Sequence, residues 1–255
     1  MTTTQTGTLY LIPNSLGALD APDAAHILAQ VLPVAVQQQA ARLTHYVAEN
    51  AKTTRAFLKH INSFAPLAVP LQQIAISELN IKTPANRVPE LLAPLRAGHD
   101  VGLISEAGVP AVADPGALLV RHAHAAGIAV RPLVGPSSLL LALMASGLNG
   151  QSFAFHGYLP VEAAERSQKI RSLEASSRSA QQTQILIETP YRNAQMLKAL
   201  AESCHPETLI CAATDLSLSS EQIRTQSAQT WRKQAAQYGE TLQKRPTVFL
   251  LLAGA

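Results

Sequence analysis

The chain has 255 residues, of which 47% are hydrophobic, 15% are charged and only 4% are aromatic. This composition excludes an intrinsically disordered chain and favours an aliphatic core, as in buried parallel strands covered by helices. The formal net charge of +3 permits an anionic partner without requiring one.

Motifs for metals, disulfides and membranes are absent from the sequence. Cys204 and Cys211 are the only cysteines, without C-x-x-C spacing, and the eight histidines show no H-x-x-x-H or H-E-x-x-H spacing. The first residues lack a basic signal-peptide region, and the apolar stretches Ser137–Gly150 and Thr247–Ala255 are shorter than the ~20 residues needed to cross a bilayer. We therefore expect a soluble cytoplasmic protein with no metal site and no membrane partner.

Strand and helix patterns alternate along the first half of the chain. Strands are predicted within Gly7–Pro13, His45–Glu49, Pro66–Glu78, Val101–Ile104 and Ile128–Ser138. Helices are predicted at Pro22–Leu43 (interrupted by Pro33), Asn50–Ile61, Ala85–His99 and Gly116–Gly127. This alternation predicts βαβ units and a parallel sheet.

The composition of the sequence changes near Gly135–Ser138, where we place a boundary between two α/β lobes, 1–136 and 137–255. Beyond it, helices are predicted in Ser137–Gly147, Val161–Gln184 and Asn193–Cys204, and extended segments in Phe153–Pro160, Thr183–Arg192, Thr208–Ser217 and Pro246–Gly254. The cleft between two lobes is the default ligand site.

Turn-forming and small residues follow nearly every predicted strand. They occupy Pro13–Ser15, Ser105–Gly108, Gly135–Ser138, Glu188–Arg192, Ala212–Asp215 and Pro246–Thr247. Ligands of parallel sheets lie beyond the carboxyl ends of the strands, and small side chains let a ligand approach the backbone. These loops suit an amphipathic ligand such as adenosine, although glycine and proline at strand ends are also common for structural reasons alone.

Several of these segments, taken in order, resemble the tetrapyrrole methylase superfamily of S-adenosylmethionine-dependent methyltransferases. "GTLYLIPNSLGAL" is similar to its G-T-L-Y-x-V-P-T-P-I-G-N-L, and "LISEAGVPAVADPG" to L-V-S-D-A-G-T-P-x-I-S-D-P-G. "AENAKTT", "VRPLVGPSS", "FHGYLP" and "ETPYR" also match, most closely in the branch of ribosomal RNA small subunit methyltransferase I, which methylates a cytidine 2′-hydroxyl.

The resemblance implies two α/β lobes, with a mainly parallel sheet in the N-terminal lobe and a mixed sheet in the C-terminal lobe. It also implies a homodimer, an RNA substrate, and S-adenosyl-L-methionine in the cleft between the lobes. The residues it places around that cofactor are Pro13, Ile104, Ser105, Glu106, Ala107, Gly108, Val109, Asp114, Pro136, Ser137, Ser138, Thr189, Tyr191, Ala213 and Thr247. Glu49 and Lys52 are the candidate catalytic residues, as a base for a ribose hydroxyl.

Departures from the branch pattern fall mainly on the side expected to face the methyl acceptor. Asn50 and Lys52 replace an aspartate and an arginine, and "VEAAERSQK" after "GYLP" carries glutamates where the branch is strongly basic. On the cofactor side, Glu106 replaces an aspartate and Val109 a threonine. Two alternatives to an RNA methyltransferase therefore stay open: a methyltransferase for a small tetrapyrrole-like acceptor, and a cofactor-binding paralogue without catalysis.

Overall fold

The chain separates into two compact units, Met1–Ser137 and Ser138–Ala255, of which the computed structural model describes residues 6–254. The first five residues, on which the prediction of no signal peptide partly rests, lie outside the described range. The division into an N-terminal α/β lobe, 1–136, and a C-terminal α/β lobe, 137–255, stays a prediction.

The N-terminal unit contains an entirely parallel five-stranded sheet. Its strands are β1 (Leu9–Ile12), β2 (His45–Ala48), β3 (Ala75–Glu78), β4 (Val101–Ile104) and β5 (Val130–Pro132), in the order β3-β2-β4-β1-β5. All four residues of β4 are buried, as expected for a strand covered on both faces. The predicted parallel sheet is confirmed, and all five strands end at the same edge.

The helices of this unit follow the predicted positions, with one correction. They are α1 (Ala24–Val31), α2 (Val34–Arg42), α3 (Ala51–Ile61), α4 (Ala93–Arg96) and α5 (Gly116–Ala125). The single helix predicted at Ala85–His99 is wrong: Ala85–Leu92 forms a 3₁₀ helix, and only the short α4 is α-helical. Pro89 lies inside this segment and cannot donate the backbone hydrogen bond that an α-helix requires.

The C-terminal unit contains a mixed sheet, as the resemblance implied. Its strands are β6 (Phe153–Tyr158), β7 (Thr183–Ile187), β8 (Leu209–Thr214), β9 (Gln222–Ser227) and β10 (Thr247–Leu252), in the order β6-β7-β10-β8-β9. The β6–β7 pair is parallel, and the β7–β10, β10–β8 and β8–β9 pairs are antiparallel. The helices are α6 (Ser138–Ser146), α7 (Ala163–Ala180), α8 (Asn193–Ser203) and α9 (Ala228–Thr241).

The sequence did not predict β9 or α9. β9 reads "QIRTQS", with a single aliphatic residue, and most of α9 is polar. Both depend on tertiary contacts: β9 pairs along its whole length with β8, and the fully buried Trp231 of α9 donates its indole N–H to the Ile210 carbonyl of β8 at 2.9 Å.

No helix within residues 6–254 has the length and apolar character needed to span a bilayer.

A close contact in the middle of the parallel sheet gives a test of the fold. A Cβ added at Gly102 of β4 would lie 2.7 Å from Cε1 of Tyr46, whose hydroxyl donates to the Ala40 carbonyl at 2.6 Å. We expect Gly102→Ala to lower the free energy of unfolding by about 1–3 kcal/mol, because the buried ring must shift. Urea unfolding followed by circular dichroism measures this. Gly150→Ala, where a Cβ meets nothing within 4 Å, is the control, and equal stability of the two variants would contradict the packing.

Candidate functional site

A buried asparagine joins the loops that follow two adjacent strands, β1 and β4. The Asn14 side-chain amide donates to the carbonyls of Ser105 and Glu106, at 3.3 and 3.1 Å. The backbone adds two bonds, from Asn14 N–H to the Gly108 carbonyl at 2.8 Å and from Gly108 N–H to the Ser15 carbonyl at 3.2 Å. The predicted loops Pro13–Ser15 and Ser105–Gly108 therefore form one hydrogen-bonded unit.

The segment after Gly108 is held in a tight turn by Asp114. Its carboxylate accepts hydrogen bonds from the backbone N–H groups of Ala111, at 2.8 Å to Oδ2, and Gly116, at 2.7 Å to Oδ1. Ala111 and Ala113 have φ angles of 66° and 63°, a left-handed conformation that alanine rarely adopts. Asp114 thus stabilises a strained loop, which is a structural role within the predicted cofactor set.

Carboxylates gather at the ends of β2 and β4. Glu49 Oε2 accepts from the backbone N–H of Glu106 at 3.2 Å, which joins the two strand ends. Burial raises the pKa of Asp114 above its usual 3.8, and the negative charge of Glu49 raises it further. The region therefore has a negative field that favours a cationic ligand.

A cavity of about 500 Å³ opens beside this cluster. Its walls are Leu16, Gly17, Ala18, Leu19, Asp20, Asn50, Lys52, Thr53, Ala56, Glu106 and Ala107. A largely apolar wall with a few polar groups is typical of small-molecule sites, whose volumes range from about 300 to 1,000 Å³. Of the two predicted catalytic residues, Lys52 lines this cavity, and Glu49 contacts its wall through Glu106.

The N-terminus of α3, also in the cavity wall, has its backbone donors already bonded. Asn50 Oδ1 accepts from Lys52 N–H at 2.9 Å and from Thr53 N–H at 3.4 Å, and Glu78 Oε1 accepts from Ala51 N–H at 2.9 Å. Asn50 caps the helix as an aspartate would. The positive group that this turn offers to a ligand is therefore the Lys52 ammonium.

The loop Gly135–Ser137 packs against the other loops of the N-terminal unit. A Cβ at Gly135 would lie 2.2 Å from Cβ of Pro13, so only glycine fits there. A Cβ at Gly108, whose φ is 67°, would lie 3.4 Å from the Pro136 carbonyl. The structure thus brings these predicted residues of the N-terminal unit together.

The predicted residues of the C-terminal unit differ in exposure. Tyr191 is 79% exposed and Thr189 is exposed, whereas Ala213 and Thr247 are buried neighbours on β8 and β10. The Thr247 hydroxyl lies 3.1 Å from that of Thr214 and accepts from Asn193 Nδ2 at 3.2 Å. Its side chain is therefore engaged within its own unit.

Sequence reasoning missed the role of Asn14 and Asn50. Both stand next to predicted site residues, and an asparagine after a strand or before a helix is a recognisable signal for a turn or a cap. No cluster of three or more metal-binding side chains occurs in residues 6–254.

Comparison with known families identifies the chain. The family model "Tetrapyrrole (Corrin/Porphyrin) Methylases" matches residues 21–251. The chain belongs to this family. It is therefore a methyltransferase, and methyltransferases of this family use S-adenosylmethionine.

Two relatives carry the name ribosomal RNA small subunit methyltransferase I. The one from Xylella fastidiosa is 32% identical over 98% of this chain and 82% of its own length. The one from Pseudomonas aeruginosa is 33% identical over 86% of this chain and 70% of its own length. The predicted superfamily and branch are confirmed.

Solved structures agree on the fold. The methyltransferase CobJ matches with a TM-score of 0.56 at 18% identity, covering 98% of this chain and 95% of its own. Uroporphyrin-III C-methyltransferase from Thermus thermophilus, complexed with S-adenosylhomocysteine, matches with a TM-score of 0.54 at 16% identity, covering 96% and 97%. At these identities the likeness supports the fold alone.

The raised pKa of Asp114 predicts a pH effect on stability. A carboxylic acid whose pKa is raised by folding binds its proton more tightly in the folded state, so its contribution is largest below pH 3.8 and is lost as the pH rises through the raised pKa. We expect the stability of the wild type relative to Asp114→Asn to decrease from about pH 4 towards neutrality. Urea unfolding at several pH values measures this, with the exposed Asp23→Asn as control; a constant or increasing difference would contradict the assignment.

Proposed function

We propose that the protein transfers a methyl group from S-adenosyl-L-methionine to a ribose 2′-hydroxyl of RNA, in the cytoplasm. The observation that carries this proposal is the similarity, along nearly the whole chain, to proteins named ribosomal RNA small subunit methyltransferase I. A tetrapyrrole-like acceptor has weaker support, from the family as a whole and from structural neighbours that share the fold.

The proposed cofactor-binding residues remain those expected from the sequence: Pro13, Ile104, Ser105, Glu106, Ala107, Gly108, Val109, Asp114, Pro136, Ser137, Ser138, Thr189, Tyr191, Ala213 and Thr247. The fit rests on chemistry: exposed Glu106 and Ala107 adjoin the cavity, and the neighbouring carboxylates suit a sulfonium cation. When bound, the cofactor supplies an activated methyl group, so the protein's main task is to align an acceptor.

Glu49 and Lys52 are the proposed residues on the acceptor side. Glu49 Oε2 is held by the Glu106 N–H, which leaves Oε1 to receive the proton of an acceptor hydroxyl. Lys52 is exposed, lines the cavity and has the charge to bind a phosphate beside the target ribose. Glu49 thus moves the proton, and Lys52 holds the acceptor.

These two roles are separable in kinetics. Glu49→Gln keeps an acceptor for the Glu106 N–H but removes the base, so kcat should fall by about 100-fold or more. Lys52→Ala should raise KM for RNA several-fold with a smaller effect on kcat. Transfer of a labelled methyl group to ribosomal RNA is measured, together with calorimetric titration by S-adenosylmethionine. Lys52→Ala should bind the cofactor normally, and Glu49→Gln should bind it only a few-fold more weakly, because one of the carboxylates near the sulfonium is removed.

The matched control is Lys59→Ala, an exposed lysine on the same helix that does not line the cavity. Cofactor binding by the wild type without methyl transfer to RNA would overturn the proposed substrate and favour a paralogue without this activity. A Glu49→Gln variant as active as Lys59→Ala would overturn the proposed base.

We also propose that the protein acts as a homodimer. Leu140 and Met144 stand four residues apart on α6 and are 51% and 79% exposed, so one helix face presents large apolar side chains to solvent. We expect sedimentation equilibrium to give twice the chain mass of 27.1 kDa, and Met144→Lys to reduce it to one chain. Ile81→Lys, at a residue 91% exposed in the other unit, is the control. A monomeric wild type would contradict the proposal.

A further inference from the structure

A second cavity lies in the C-terminal unit, where β9 faces α9. Its volume is about 380 Å³, and Arg224, Gln234, Gln237, Tyr238 and Thr241 line it. None of these residues belongs to the proposed methyl-transfer set. Arg224 pairs with Ala212 across the sheet, and its neighbour Ile223 pairs with Ala213, so the side chains of Arg224 and Ala213 project from opposite faces.

The guanidinium of Arg224 lies over an aromatic ring. Its Cζ lies 5.0 Å from the centre of the Tyr238 ring, within the range of a cation–π interaction. Tyr238 in turn contacts the fully buried Trp231, with ring centres 5.0 Å apart. The arginine thus rests on a rigid aromatic support, which reduces the entropy lost when it binds a ligand.

The donors of Arg224 are free to bind. In residues 6–254 no hydrogen bond or ion pair engages its guanidinium, which carries five N–H donors. The other arginines nearby are occupied: Arg245 pairs with Asp215 at 2.7 Å, and Arg232 donates to the Ala201 and Cys204 carbonyls. Arg224 is therefore the arginine of this region whose charge is available to a partner.

The rest of the cavity wall is polar and uncharged. Gln234, Gln237, Tyr238 and Thr241 have the spacing that places residues on one face of a helix. The wall includes no carboxylate, and the side-chain amides of Gln234 and Gln237 make no hydrogen bond within the described residues. The surrounding stretch 216–246 contains five basic and two acidic residues, so the local charge favours an anion.

We propose that this cavity binds a phosphate group of an RNA chain, through Arg224 with the two glutamines as further donors. A planar guanidinium matches phosphate oxygens with two parallel hydrogen bonds. Base stacking fits less well, because Arg224 already covers one face of Tyr238. The choice of RNA rests on the proposed function, and a phosphate of a free nucleotide shares the same chemistry.

The test compares Arg224→Ala with the control Arg171→Ala. Arg171 is an exposed arginine on α7 of the same unit, and it lines neither of the two cavities described above. Binding of a fluorescein-labelled single-stranded RNA is followed by anisotropy at several salt concentrations. Arg224→Ala should weaken binding about tenfold and lower the salt slope by about one, whereas Arg171→Ala should stay within about twofold. Arg224→Lys should lose part of the affinity, because lysine keeps the charge without the paired donors.

A second probe, ribose 5-phosphate measured by calorimetry, identifies the source of the phosphate, because it lacks the adenine that the proposed cofactor site would bind. Loss of RNA binding alone would assign the cavity to the RNA backbone, and loss of binding to both probes would assign it to phosphate in general. Arg224→Ala that binds both probes as Arg171→Ala does, or a wild type that binds neither, would overturn the proposal.

Two further measurements separate this proposal from the proposed function. Unchanged thermal unfolding and unchanged S-adenosylmethionine binding by Arg224→Ala would show that the variant is folded. RNA binding that depends on Arg224, in a protein that transfers no methyl group to RNA, would overturn the proposed function and leave this site standing.

Discussion

The arrangement of the N-terminal site depends on one buried side chain, the amide of Asn14. Loops after neighbouring parallel strands have no ladder to hold them together, and their carbonyl groups must still find donors. Asn14 supplies two such bonds, to Ser105 and Glu106, and its backbone adds a third, to Gly108. With these bonds made, the loop after β4 can hold Glu106 and Ala107 outward at the wall of the cavity while Ser105 stays buried.

Strain in the same loop is balanced by a second polar side chain. Two alanines adopt left-handed φ angles, and the carboxylate of Asp114 bonds the N–H of one of them and that of Gly116. Such strain persists only where the surrounding structure over-determines the backbone, and it is concentrated at functional sites. Burial and the nearby charge of Glu49 make this carboxylate costly to ionise. The hydrogen bonds that hold the loop in shape therefore place a carboxylate where its charged form destabilises the folded state.

Periodicity and breakers in the sequence were sufficient for most of the fold. The alternation of strands and helices predicted the parallel sheet correctly, and Pro33 correctly predicted the interruption between α1 and α2. They failed where local pattern is weak: Pro89 converts an apparently helical stretch to 3₁₀ geometry, and β9 and α9 acquire their structure from tertiary contacts such as those of Trp231. For the proposed site, motif resemblance indicated loops of the N-terminal unit that contact one another in the structure, but no pattern indicated that Asn14 joins them or that Asp114 holds their backbone.

The proposed cofactor and the proposed acceptor require surroundings of opposite charge. A sulfonium cation and an RNA phosphate need fields of opposite sign, so one cluster cannot serve both. Glu49, Glu106 and Asp114 make the region at the ends of β2 and β4 negative, and among residues 6–254 Lys52 is the one lysine or arginine that lines the adjoining cavity. The stretch after "GYLP" lacks the basic run of the branch, whereas 216–246 is rich in arginine and lysine. Non-specific affinity for RNA comes mainly from phosphate contacts, and these need not adjoin the reacting ribose. Positive charge elsewhere on the chain can therefore replace the positive charge that is lost beside the methyl-transfer residues.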